Sequence, residues 1–291
     1  MKRSGIDISI WQQYPDYDKL KKDPNVDFVI AQIGYGRYSY QKDETFEYNY
    51  KNARSRGVPI GGYWFSYANS PDDAREEARA CLEIINGRQF EYPIYYDIEG
   101  NALAGDVSGK CKAFCSELEK AGWFAGIYIS RSPAMSYLDD ECRTKYAMWI
   151  ADYANQCYYN GDYGIWQYKS TGRVSGISGD VDMNYCYVDY PALISEGGFN
   201  GYPKSHPDQP ETLDYSGYAE GDKGLGVLAY KQMLRFLREK GALTQKLDNN
   251  GSFGPGTTKA TNEFLGLIGK NPNGIAGANT IKALGERIKE V

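Results

Sequence analysis

Pro59-Ile60-Gly61-Gly62-Tyr63-Trp64-Phe65, then Ser70-Pro71-Asp72-Asp73, then Tyr92-Pro93-Ile94-Tyr95-Tyr96-Asp97-Ile98-Glu99: this stretch reads as strand, helix, strand. The outer segments are short and rich in aromatic and β-branched residues, as strands are. Between them, Ser70 suits a helix N-cap and Pro71 the first helical position. Ala74, Ala78, Cys81, Leu82 and Ile85 recur at helical spacing, and Gly87 ends the pattern. A strand that returns through a helix lies parallel to its neighbour.

The same alternation runs outward in both directions. Strands are expected at Ile6–Ile10, Phe28–Ile33, Pro59–Phe65, Tyr92–Ile98, Phe124–Ile129, Ala147–Ala151, Gly164–Tyr168 and Val181–Tyr187. Helices fit between the first six, one of them from Ser108 to Ala121 with Gly122 after it. The last two connections, Asp152–Asp162 and Lys169–Asp180, are short and rich in Gly, Asn, Tyr and Ser. They leave no room for a crossover helix. Eight strands with about five helices predict an α/β fold: an irregular TIM-like barrel with a degenerate final quarter, whose late strands turn antiparallel.

Composition narrows the chemistry. The chain has 291 residues, 42% hydrophobic and 24% charged, which suits one large domain or two unequal ones. No apolar run approaches the ~18 residues of a membrane span. Met1-Lys2-Arg3-Ser4-Gly5-Ile6-Asp7 lacks the apolar core of a signal peptide. A net charge of -5 argues against binding nucleic acid by phosphate neutralisation. His206 is the single histidine and falls in a proline-rich segment. A Ser-His-Asp or Cys-His hydrolase needs a histidine base, and zinc hydrolases usually need two or three histidine ligands. The six cysteines are irregularly spaced and read as small buried hydrophobes. Carboxylate chemistry without metal or cofactor remains, and the 27 tyrosines suit a sugar-like, flat and polar ligand.

In a barrel of this kind active groups sit at strand ends. Asp97 and Glu99 close the fourth strand, Asp7 lies in the first, Asp152 follows the sixth and Asp182 lies at the eighth. Asp97 and Glu99 are two apart, so they share a face with Cα atoms about 6.7 Å apart. At ~6 Å and an effective dielectric near 20 their repulsion is roughly 2.8 kcal/mol, about two pKa units. That would keep one of them protonated near neutral pH, as a general acid requires. The competing reading is a structural pair satisfied by backbone donors or basic partners.

Three of the chain's prolines fall between residues 203 and 210, among glycines and polar residues. This predicts domains at 1–195 and 215–291 joined by a linker at 196–214. Residues 212–291 carry 11 Lys and Arg against 8 Asp and Glu, a net +3 on an otherwise acidic chain. They also contain a repeat: Asn250-Gly251-Ser252-Phe253-Gly254-Pro255-Gly256-Thr257 matches Asn273-Gly274-Ile275-Ala276-Gly277-Ala278-Asn279-Thr280. Each copy reads as a glycine turn feeding a helix, with Thr257 or Thr280 near its start. A preceding helix from about Gly224 to Lys240 carries Val227, the Lys231 stem, Leu234 and Leu237 at helical spacing. A small three-helix domain is expected.

Gly5-Ile6-Asp7-Ile8-Ser9, Asp97-Ile98-Glu99, Trp166-Gln167-Tyr168, Gly172 through Ile177 and Val181-Asp182-Met183-Asn184 resemble glycoside hydrolase family 25, the lysozymes of phages and bacteria. The resemblance covers residues 4 to about 190. It implies an eight-stranded, five-helix barrel and an N-acetylmuramidase acting with retention on peptidoglycan. Glu99 would be the general acid/base, and Asp97 would orient the substrate acetamido group or stabilise the oxocarbenium. Asp7 and Asp182 would line the site, Asp182 being the other candidate nucleophile or electrostatic partner. Tyr63, Tyr128, Trp149, Tyr153 and Gln167 would bind the glycan. At the third strand Tyr63-Trp64-Phe65 stands where the family often has Tyr-His-Phe. The C-terminal repeat resembles the three-helix peptidoglycan-binding domain of wall hydrolases.

The expected partner is therefore bacterial peptidoglycan, with no nucleic acid and no membrane; a homo-oligomer is left open. A phage endolysin waiting in the host cytoplasm for release, or an enzyme exported without a signal, fits the start of the chain. A chitinase-like barrel, or a lectin whose carboxylates only hydrogen-bond sugar hydroxyls, remain the alternatives.

Overall fold

The computed structural model describes residues 2–203, 217–248 and 250–290. The chain forms two compact units, Met1–Pro207 and Asp208–Val291. His206 and residues 204–214 of the expected linker lie outside the described residues.

The first unit is a closed barrel of eight strands in sequence order: β1 (Arg3–Ile8), β2 (Phe28–Tyr35), β3 (Ile60–Phe65), β4 (Ile94–Asp97), β5 (Ala125–Ser130), β6 (Ala147–Ala151), β7 (Ile165–Gly172) and β8 (Val181–Cys186). Pairings from β1 to β7 are parallel. Only β8 runs antiparallel, to both β7 and β1. The connection from β7 to β8 is too short to cross over, so the strand returns beside its predecessor; the β6–β7 connection, read as equally short, still delivers β7 parallel to β6. β1 begins earlier than expected and stops at Ile8. Ser9 turns the chain by capping a 3-10 turn over Ile10–Gln12.

Helices fill the first five connections. They are α1 (Tyr17–Leu20), α2 (Phe46–Arg56), α3 (Pro71–Ile85), α4 (Val107–Lys120) and, between β5 and β6, the short pair α5 (Arg131–Tyr137) and α6 (Asp140–Lys145). The single helix expected there is split where Leu138 turns extended and Asp139 caps anew, its carboxylate accepting from Cys142 N. Ser70 accepts from Asp73 N, so the cap read for α3 is present. Of the six cysteines, five are buried and Cys157 is half-buried.

Residues 196–203, expected as the start of a linker, instead belong to the barrel. α7 (Tyr190–Gly197) runs past residue 195, and Asn200 caps the bottom of the barrel. Its amide donates to the carbonyls of Phe90 and Tyr92, and its oxygen accepts from Phe124 N at 2.7 Å. Tyr202 bonds Glu91 and Arg54. Glycine-rich composition concealed these long-range contacts.

The second unit packs α8 (Leu225–Glu239), α9 (Pro255–Leu267) and α10 (Ala278–Lys289) around Tyr230, Leu234, Phe253, Phe264 and Leu284. Gly254 and Gly277 are the N-caps of the repeated helices, and Thr257 and Thr280 lie inside their first turns. Lys231 buries its ammonium as well as its stem, donating to Asp248, Asn250 and the Ser252 carbonyl.

Candidate active site

A cleft of about 380 Å³ opens at the barrel mouth, where the parallel strands end. Asp97 is the last residue of β4. Glu99 follows with extended backbone and N-caps a 3-10 turn over Gly100–Leu103, so the alternation persists and both carboxyls line the cleft. Asp7 comes from β1. Asp182 lies at the start of β8, not at a carboxyl end. Because β8 is antiparallel, its start faces the mouth, and Asp182 pairs in register with Asp7.

Asp7 is the most tightly held. Its Oδ2 accepts from Asn184 Nδ2 at 2.7 Å and Gln167 Nε2 at 3.0 Å. Gln167 Oε1 in turn accepts from the hydroxyls of Tyr128 (2.9 Å) and Tyr153 (2.8 Å), and Asn184 Oδ1 accepts from Trp149 Nε1 at 2.8 Å. One network therefore joins Asp7 to four of the five aromatic and amide residues expected at the glycan. Tyr63 enters separately: its ring packs edge-on to Trp149 with centroids 6.2 Å apart. Tyr63, Tyr128, Trp149 and Gln167 line the cleft. Tyr153 is exposed, and its hydroxyl reaches the site by donating to Gln167 Oε1. Trp64, where the sequence departs from the family, points away from the mouth: it is buried and donates to the Gly36 carbonyl.

Asp97 is buried, and its Oδ1 has no hydrogen-bond partner. A buried acceptor left open at a cleft wall is a position for a donor on a ligand. Among the described residues, no lysine or arginine lines the cleft. Burial is the largest influence on all four acids and favours their neutral forms. It lifts Asp97 well above the usual carboxylate range, with Glu99 and Asp7 adding repulsion. Glu99 is also raised, by burial. Burial and then the field of Asp182 push Asp7 up to about 8, against the bonds from Asn184 and Gln167. Asp182 rises to about 6 through burial and Glu99. The mutual repulsion of Asp97 and Glu99, expected to dominate, is secondary to their removal from water.

The cleft also holds residues the strand pattern did not single out: Trp11, Gln32, Tyr35, Asp43 and Tyr67. Trp11 and Tyr67 are well exposed, and Tyr67 meets Tyr35 edge-on with ring centroids 5.9 Å apart. Asp43 is a pin: its Oδ2 accepts from Ile10 N and its Oδ1 from Thr45. Gln32 and Tyr35 belong to β2 and Trp11 to the 3-10 turn, while Asp43 and Tyr67 sit on loops, which carry no periodicity. The one signal was the excess of tyrosine and tryptophan in short polar segments.

Comparison with known proteins agrees with this geometry. The family described as glycosyl hydrolases family 25 matches residues 6–177. The autolytic lysozyme of Clostridium acetobutylicum is 26% identical over 280 residues, covering 95% of this chain and 76% of its own. The modular autolysin LytC of Streptococcus pneumoniae, solved with a synthetic peptidoglycan ligand, is 27% identical with a TM-score of 0.58. That match covers 64% of this chain and 47% of LytC, so the chain spans about half the length of that relative. The catalytic domain of endolysin ply40, from bacteriophage P40 of Listeria monocytogenes, is 26% identical with a TM-score of 0.57, covering 67% of this chain and 97% of that domain.

Proposed function

The chain belongs to glycosyl hydrolases family 25, and from that premise we propose that it is a peptidoglycan hydrolase, an N-acetylmuramidase that cuts the β-1,4 bond between N-acetylmuramic acid and N-acetylglucosamine with retention. The observation that carries this reading is the mouth of the barrel: five carboxyls around one cleft, with Asp7, Asp97, Glu99 and Asp182 held toward their neutral forms, walled by aromatic rings.

Glycoside hydrolysis needs one carboxylic acid to protonate the leaving oxygen and a negative group to stabilise the oxocarbenium-like transition state. Glu99 fits the first role. It is half-buried, so its proton is retained yet reachable. Asp97 offers its unpartnered Oδ1 to the substrate acetamido N–H. Asp182, raised less than Asp7, ionises before it and faces the developing positive charge. Tyr63, Tyr128 and Trp149 give the sugar rings apolar faces to pack on, with Gln167 holding the Tyr128 hydroxyl in place. The C-terminal unit is the wall-binding module of this enzyme.

Glu99→Gln keeps the shape and removes the proton. It should lower release of reducing ends from purified sacculi by at least ~10²-fold, the range for losing a general acid. A folded Glu99→Gln protein that lyses walls at near the native rate would refute the assignment.

A further inference from the structure

Among the described residues of the barrel, two charged side chains outside the cleft are fully buried: Glu77 on α3 and Lys110 on α4. Neither reaches the glycan site, and charges are seldom buried without specific partners. Their partners are the loops behind the catalytic strand end. Lys110 Nζ donates to the carbonyls of Ala102, Ala104 (2.7 Å) and Ala68 (3.3 Å). Three ammonium protons thus meet three carbonyl oxygens on two loops, after β3 and after β4. Glu77 accepts from Tyr67 N and from the Tyr96 hydroxyl, both at 2.7 Å, and Ser66 Oγ lies 2.7 Å from that hydroxyl.

The Lys110 contacts bear on Glu99. The turn that Glu99 begins closes by Ala102 N donating to the Glu99 carbonyl at 3.1 Å, and the carbonyl of that same Ala102 is held by Lys110. Upstream, Ser66 N donates to Asp97 O and Ile98 N to Tyr128 O, so the Asp97–Glu99 backbone is fixed on its strand side by the sheet. On the far side Lys110 is the side chain that ties the turn down. A hydrophobic residue would fill the volume but take the ammonium donor from three carbonyls, two of them on the buried Ala68 and Ala102.

We propose that Lys110 is a positioning residue for Glu99, its buried ammonium fixing the turn from which the acid projects. The inference rests on the general-acid role given to Glu99. Apart from Glu99 and Tyr67, the cleft is walled by other elements, so the loss should fall mainly on the chemical step rather than on glycan binding.

The test uses the full chain and soluble glycan fragments released from sacculi. Lys110→Met should lower kcat by between about 10- and 100-fold, the scale of a misplacement near 1 Å, with KM within about twofold. Lys110→Ala should lose kcat likewise and regain part of it in n-propylammonium, which replaces the missing three carbons and nitrogen. Folded fraction is followed by near-ultraviolet circular dichroism at each step. Native kcat in a folded Lys110→Met protein would overturn the proposal. So would activity lost only in proportion to the unfolded fraction, or a folded Lys110→Ala protein indifferent to propylammonium. If the unsubstituted protein releases no reducing ends from these fragments, the muramidase reading itself fails, independently of Lys110.

Discussion

Asp7 accepts two amide hydrogen bonds, which favour its anion, yet burial and then Asp182 push it up to about 8. The sign of its effect on stability follows. An aspartate near ~3.9 in the unfolded chain and about 8 in the folded one binds its proton more tightly when folded. Its contribution is complete below about pH 4 and disappears as pH rises toward 8; Asp182 adds a similar loss that ends near 6. Thermal melting of the barrel should therefore fall between pH 5 and 8, and Asp7→Asn should remove most of the fall above pH 6. A melting temperature that rises over this range, or a slope unchanged in Asp7→Asn, would contradict the assigned burial. The four acids were legible as residues, since their spacing places them at strand ends. The network around Asp7 was not: Gln167 and Asn184 lie 160 and 177 positions away, and only barrel closure brings them together.

β5 shows what the barrel interior requires of an element. Tyr92, Tyr95, Tyr128 and Trp149 crowd the inside, and glycines give them room. A Cβ on Gly126 would stand 2.5 Å from the Tyr95 ring and 2.6 Å from the Ala147 carbonyl. Tyr95 packs edge-on to Trp149 at 5.1 Å, so displacing it disturbs the floor of the cleft. Gly126→Ala should destabilise the protein by about 1–3 kcal/mol, as overpacking does, which chemical denaturation measures directly. An unchanged midpoint would show that the interior relaxes freely. At this scale the sequence was informative about existence and less so about ends. Alternating apolar residues located every strand, and the Ser-Pro start of α3 located its first turn. The split between α5 and α6 was hidden because short helices carry too few turns for a periodic signal. Tyr153 and Asp43 act from loops, where side-chain direction follows no period.

The whole molecule divides into a catalytic barrel and a helical unit with its own core. Since Asn200 and Tyr202 close the barrel bottom, a truncated form should retain residues through about 203 to stay folded. Fragment 212–291 should sediment with purified sacculi and release no reducing sugar, while the truncated barrel should act on soluble glycans and lose rate on intact walls, where tethering raises local concentration. A fragment that remains in the supernatant, with wall lysis unaffected by truncation, would leave the helical unit without its assigned role. The composition shift announced a second unit. Its boundary was misplaced because glycines that look like a linker here serve a capping turn. The most direct test of the muramidase assignment is the identity of the sugar at the new reducing ends. Sacculi digested with the full chain, reduced with borohydride and analysed by mass spectrometry should yield muropeptides ending in N-acetylmuramitol; N-acetylglucosaminitol ends, or peptide cleavage without new reducing sugars, would contradict it.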